Sequence, residues 1–288
     1  MTTPRTRVAV ALAALLTAAI SGPLLLRAGT AVLTARVAAQ EPASVVTPIY
    51  EGWFKNPDGT FSLVLGYTNT DAKVPFDIPV GPDNSIEPGG PDRGQPTHFN
   101  PHRQWGTFAV VVPATFAQGT LTWTVVANGT RAAVAMALDP RRELAMLADP
   151  AGGGKAPLVR FDPNGRATAG PPSDVIGSMR AVVGQPVPLA VWVADDTGTA
   201  ARQGAGDAPM VIRWSRFRGP GIVRFTDPTP PVDPAAGGRA TTNATFLAAG
   251  EYVMRGQTSR GAADSPNGPP CCWTGALVKV AVAPAPPQ

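Results

Sequence analysis

Residues 121–138 read LTWTVVANGTRAAVAMAL. At the start of this stretch Leu121, Trp123 and Val125 alternate with Thr122 and Thr124, the period of two that puts apolar side chains on one face of a strand. Asn128-Gly129 then supplies the two positive φ angles of a type I′ turn, and Arg131–Leu138 runs back as a second strand. A tight hairpin of this kind marks antiparallel strands. The residues before it read the same way. Ile49–Phe54 and Phe61–Tyr67 are β-prone runs joined by the turn signal Asn56-Pro57-Asp58-Gly59, and Thr107–Val112 is another strand-sized apolar run.

The bulk composition agrees. In 288 residues there are 31 Gly and 33 Pro, which breaks the chain into short elements and leaves little room for long helices. Hydrophobic residues make up 44% of the chain, enough for a sizeable core, while charged residues make up 15%, below the roughly 25% of ordinary soluble domains. The formal charge of +4 comes entirely from Arg5, Arg7, Arg27 and Arg36 in the first 39 residues, which hold no Asp, Glu or Lys. The remainder is balanced, so a basic surface for nucleic acid is not expected.

Those first residues form a leader. Arg5 and Arg7 precede the uncharged run Val8–Ile20, and Val37-Ala38-Ala39 offers small residues for cleavage before Gln40. A positive start, an apolar middle and small residues at the cut are the physics of a secretory signal peptide over 1–39. The alternative is an uncleaved N-terminal anchor helix over Val8–Leu26, interrupted by Ser21-Gly22-Pro23. Either places residue 40 onward outside the cytoplasm, in the periplasm, on the cell surface or secreted.

The expected organisation after the leader is all-β: two antiparallel β-sandwich domains in tandem. Residues 40–47 are a linker and 48–138 the first sandwich. Residues 139–155 are a second linker, with a short helix over Arg142–Leu147 and a flexible Gly152-Gly153-Gly154. The second sandwich spans 156–284, before a Pro-rich tail at 285–288. Its strand candidates are Leu158–Phe161, Met179–Val183, Val187–Ala194, Met210–Arg216, Ile222–Phe225, Ala244–Leu247, Tyr252–Thr258 and Ala276–Val282.

Three pieces of this second unit carry a resemblance. They are Trp214 within Val211-Ile-Arg-Trp-Ser215, the turn and strand Gly219-Pro220-Gly221-Ile222-Val223-Arg224-Phe225, and Ala249-Gly250-Glu251-Tyr252-Val253-Met254. The unit resembles the bacterial extracellular immunoglobulin-like domains, including the polycystic-kidney-disease type. The resemblance implies that Trp214 is the buried tryptophan of the third strand and Tyr252 the corner tyrosine, its ring buried and its hydroxyl on backbone. Met254 stands where antibody domains have the second cysteine, so their inter-sheet disulfide is missing. A sandwich fold implies no activity by itself.

Candidate sites are few. The stretch from Pro79 to Gly106 reads as a long loop and holds the only two histidines, His98 and His102. Imidazoles at this spacing, near Asp83, Glu87 and Asp92, are candidate metal ligands. Pro101 between them opposes a helix that would align them, and the competing reading is a loop laid on a sheet face, anchored by Phe99 and Trp105, with both rings solvated. Cys271 and Cys272, the only cysteines, are adjacent and in an oxidising compartment would form a strained vicinal disulfide. Arg213, Arg216, Arg218 and Arg224 cluster around one expected hairpin, either as an anion site or as a solvated face with acidic neighbours such as Asp227. Glu51 and Glu87 share the first unit, the minimum for glycoside cleavage, though nothing sets them across a cleft. Phosphate-loop, dinucleotide and Gly-x-Ser-x-Gly motifs are missing, and no cofactor is implied.

The leading expectation is an exported, non-enzymatic scaffold or binding protein of the bacterial envelope, its partner a protein or glycan. A periplasmic metal-binding protein using His98 and His102 is the alternative, and a secreted glycoside hydrolase ranks last.

Overall fold

The hairpin that opens the sequence reading forms as expected: Leu121–Ala127 pairs antiparallel with Thr130–Met136, and Asn128 and Gly129 take φ angles of 49° and 73°. The computed structural model describes residues 45–145, 155–194, 209–260 and 273–287. The leader, Gly152–Gly154 and the Cys271–Cys272 pair lie outside the described residues. Among the described residues there is no α-helix, only strands and three single turns of 3₁₀ helix.

The first sandwich contains β1 (Val46–Lys55), β2 (Phe61–Asn69), β3 (Phe76–Asp77), β4 (Asn84–Glu87), β5 (His98–Phe99), β6 (His102–Val112), β7 (Leu121–Ala127) and β8 (Thr130–Met136). One sheet runs β1-β2-β6 and the other β4-β7-β8, with β3 and β5 paired as a short ladder. The apolar face of β7 builds the core. Trp123 is fully buried, edge-on to Phe108 at 5.1 Å and stacked with Phe99 at 6.3 Å. Its indole N–H donates to Asn84 Oδ1 at 3.0 Å, which satisfies the one polar atom the ring brings inside.

Two expectations need correction here. The 79–106 stretch is not a plain loop. Asn84–Glu87 joins β7 as an edge strand, His98–Phe99 pairs with β3, and β6 begins at His102. Buried Asn84 organises the turns: its side-chain amide donates to the carbonyls of Ile78 and Pro96. Phe99 is an anchor as expected, and Trp105 is half-buried. Of the histidines, expected to be solvated if the stretch lay on a sheet face, His98 is buried and only His102 is exposed.

The second correction concerns the helix expected over 142–147, of which 142–145 are described. Helical geometry stops after the 3₁₀ turn Pro140–Arg142, which Asp139 caps by accepting from Arg141 N. Glu143 instead bridges to Trp53, and Leu144 N donates to Trp53 O at 2.7 Å. Gly52 makes the docking possible, because a Cβ there would collide with Arg142 O and the Leu144 side chain. Pairing with β1 outweighs the helix propensity of Glu-Leu-Ala, a run too short to repay helix nucleation.

The second sandwich contains β9 (Leu158–Arg160), β10 (Ala167–Thr168), β11 (Val175–Val182), β12 (Pro186–Ala194), β13 (Met210–Arg218), β14 (Val223–Phe225), β15 (Arg239–Phe246), β16 (Gly250–Arg260) and β17 (Gly275–Ala283). Its sheets run β10-β9-β12-β15-β14 and β11-β17-β16-β13. All pairings are antiparallel except β11 with β17. This is the immunoglobulin-like arrangement, in which the second and fifth strands share one sheet and the third, sixth and seventh share the other. Along β15 the burial alternates residue by residue, as a half-buried strand requires. Trp214 and Tyr252 are both buried. The Tyr252 hydroxyl donates to Ala248 O at 3.0 Å, so the corner tyrosine is present.

Each sandwich has its own apolar cluster. The clusters are not sealed from each other. Phe217 on β13 and Leu277 on β17 belong to the cluster of the first sandwich, and residues 42–288 form one compact unit.

Candidate functional site

The end of β13 reads Arg216-Phe217-Arg218, three large side chains at a register shift against β16. All three turn to the first sandwich. Phe217 inserts its ring into the first core, and its carbonyl accepts from Thr97 N at 3.1 Å. Arg218 forks onto both oxygens of Asp92 at 2.8 and 3.0 Å, and its Nε donates to Gln95 O. That arrangement holds the Asp92 carboxyl below its ordinary pKa. Arg216 donates from Nη1 to the carbonyls of Gly219 and Gly221, and from Nη2 to both oxygens of Asp77 at 2.9 Å. The acidic partners of the arginine cluster are therefore Asp77 and Asp92 across the joint. Asp227, the expected partner, accepts instead from the backbone and hydroxyl of Thr229.

His98 sits inside this joint. Its Nδ1 lies 2.8 Å from Asp77 Oδ1 and 2.6 Å from Arg216 Nη2. A guanidinium can only donate and a carboxylate can only accept, so this nitrogen serves Arg216 when bare and Asp77 when protonated, one at a time. Burial, and then the Arg216 charge, push the His98 pKa below its ordinary value, against the opposing pull of Asp77. The unfolded chain therefore takes up this proton before the folded one does. The stability contribution is fully present above the unfolded pKa of about 6.5 and is lost as pH falls from there through the folded value. Glu51, raised by burial above its ordinary value, acts in the opposite sense at lower pH. Urea denaturation between about pH 7.5 and 5.5 should show wild-type stability falling, and His98→Gln should flatten that slope. Equal slopes in the two proteins would remove His98 from the account.

The two histidines have different surroundings. His98 is enclosed by Asp77 and Arg216, whereas His102 opens β6 with a φ of 65° and lines a separate cleft. Among the described residues no group of three or more His, Cys, Asp or Glu is placed to hold a metal ion. Glu51 and Glu87 lie on different sheets. Glu51 accepts from Arg103 Nη2 at 2.8 Å and from Gly106 N, and Glu87 accepts from Gly90 N at the exposed tip of β4.

The cleft beside the joint has a volume of about 410 Å³. The first sandwich contributes residues 100–105 and Ala72 to its walls. The second contributes residues 213–215 of β13, Pro228, and Arg255 and Gln257 of β16. Arg103 is fixed over the Trp105 ring at 3.8 Å. Arg255 is buried and reaches the carbonyls of Trp105 and Gly106 at 3.3–3.4 Å. Gly106 has to be glycine, because its φ is +44° and a Cβ there would run into the Trp273 indole. Sequence reading picked out His102 and Arg213, on these walls, but not Arg255, whose only signal is a charged residue directly after the apolar run Tyr252-Val253-Met254.

No protein-family model and no curated protein matches the chain. Among solved structures it is similar to the D00–D0 domain of intimin, at 12% identity and a TM-score of 0.27, covering 83% of this chain and 100% of that one. It is also similar to the titin domains Z1Z2 solved with telethonin, at 10% identity and a TM-score of 0.22, covering 85% and 100%. A third is an S-layer protein, at 12% identity and a TM-score of 0.24, covering 84% and 28%. The fold rests on the chain's own strand order: an all-β protein built of immunoglobulin-like sandwiches.

Proposed function

We propose that this chain is an exported, non-enzymatic protein of the bacterial envelope, a stiff two-sandwich scaffold that presents a binding surface. The observation that carries the reading is the joint. Independent domains usually meet through small polar contacts and move relative to each other. Here one three-residue segment, Arg216-Phe217-Arg218, puts a ring into the neighbouring core and two guanidiniums on its carboxylates. Stiffness of that kind serves spacing and presentation. Export is supported by the leader sequence at 1–39.

Two measurements on exported protein test this. Mass spectrometry should find a new N-terminus near Gln40, and recovery from the cytosol would end the export reading. Backbone amide NMR relaxation should return one tumbling time for both sandwiches. Two shorter, independent times would end the scaffold reading.

A further inference from the structure

We infer that the cleft between the sandwiches binds an acidic sugar, a pyranose carrying a carboxylate, with Arg213 and Arg255 as its charge partners. This goes beyond the scaffold reading and stands on the cleft, not the joint.

The cleft is cationic by construction. Its walls include Arg103, Arg213 and Arg255 and, among the described residues, no Asp or Glu. Glu51, the carboxylate that bonds to a wall residue, is committed to Arg103 and Gly106 N. Arg103 is used up in turn: it also donates to the carbonyls of Tyr67 and Gln104. Two guanidiniums remain. Arg213 is exposed on β13. Arg255 is 5% exposed, faces backbone carbonyls and no carboxylate, and keeps a buried Nε with no acceptor. A buried charge without a counter-charge is costly to hold. Desolvation lowers the Arg255 pKa to about 10, so it stays charged at neutral pH. A bound anion would supply the missing partner.

The rest of the wall argues for a sugar. Asn100, Gln104, Gln257 and Ser215 offer amide and hydroxyl groups that can serve as both donor and acceptor, as sugar hydroxyls require. Trp105, held under the Arg103 guanidinium, adds apolar surface. A cleft of about 410 Å³ lies within the roughly 300–1,000 Å³ of small-ligand sites. Two available guanidiniums suit a singly charged carboxylate, and among the described residues no lysine is present on the walls to add charge for a phosphate dianion.

The test is calorimetric titration of the exported protein with trigalacturonate, with neutral galactotriose and inorganic phosphate as controls. Trigalacturonate should bind, more weakly as salt rises, and galactotriose and phosphate should not. Arg213→Ala, at an exposed position that leaves folding intact, should weaken binding about ten-fold or more. Arg255→Met, which keeps the apolar stem, should abolish binding while the protein still melts cooperatively. Equal binding of galactotriose, binding of phosphate instead, no binding of trigalacturonate, or binding unchanged in Arg213→Ala would each overturn the inference. None of these outcomes bears on the tumbling time, so failure here and failure of the scaffold reading remain distinguishable.

Discussion

Trp214→Ala is expected to destabilise the protein by about 3–5 kcal/mol, the cost of emptying a large aromatic site in a core. The ring is 3% exposed and lies against Gly256, where a Cβ would come within 3.1 Å of its six-membered edge. Its Nε1 has no hydrogen-bond partner, so the substitution breaks no polar contact of the indole. What it removes is apolar burial and contact area, and what it leaves is a cavity. Urea denaturation should show the midpoint falling with the slope unchanged, as for a change in stability alone. A shift of only a few tenths of a kcal/mol would mean that the ring is not a packing element.

Phe217→Ala should cost a similar amount, about 3–5 kcal/mol, and should also change the shape of the transition. Phe217 is carried by the second sandwich and buried in the first core. Without it, the apolar packing across the joint is cut back to Leu277 and half-buried Val253, and the rest is polar. The Arg216–Asp77 and Arg218–Asp92 pairs have aspartates that are 59% and 54% exposed, and ion pairs with one side in water are worth roughly 0–1 kcal/mol each. That is too little to couple two domains. Calorimetry should therefore resolve one transition in the wild type and two in Phe217→Ala. A single transition in the variant would place the coupling elsewhere, with Leu277 the next residue to truncate.

Much of this fold can be read from sequence because its long strands carry their own signal. β7, β12, β13, β15, β16 and β17 alternate or run apolar between turn residues, and Tyr252 and Trp214 sit where an immunoglobulin-like unit needs them. β3, β4 and β5 could not be read that way. They are two to four residues long, lie in a Pro-rich stretch, and exist because distant strands pair with them. The joint is hidden for the same reason. Arg216 and Asp77 are 139 residues apart, and nothing local in either segment names the other. The same separation explains why Arg216 and Arg218 look like a solvated face next to Asp227. The cleft walls, drawn from both sandwiches, appear as a set only once the chain is folded.

The position of β17 has a consequence for the order of events as the protein is made. It is the last of the described strands in chain order, yet it lies in the interior of its sheet, between β11 and β16. Its Val278, Val280 and Val282 fill the second core, while Leu277 belongs to the first. A growing chain that has not yet released residues 275–283 lacks one layer of the second sandwich and part of the packing of the first. Domains made early usually fold early, but here the second core cannot close, and the first lacks Leu277, until residues 275–283 have emerged.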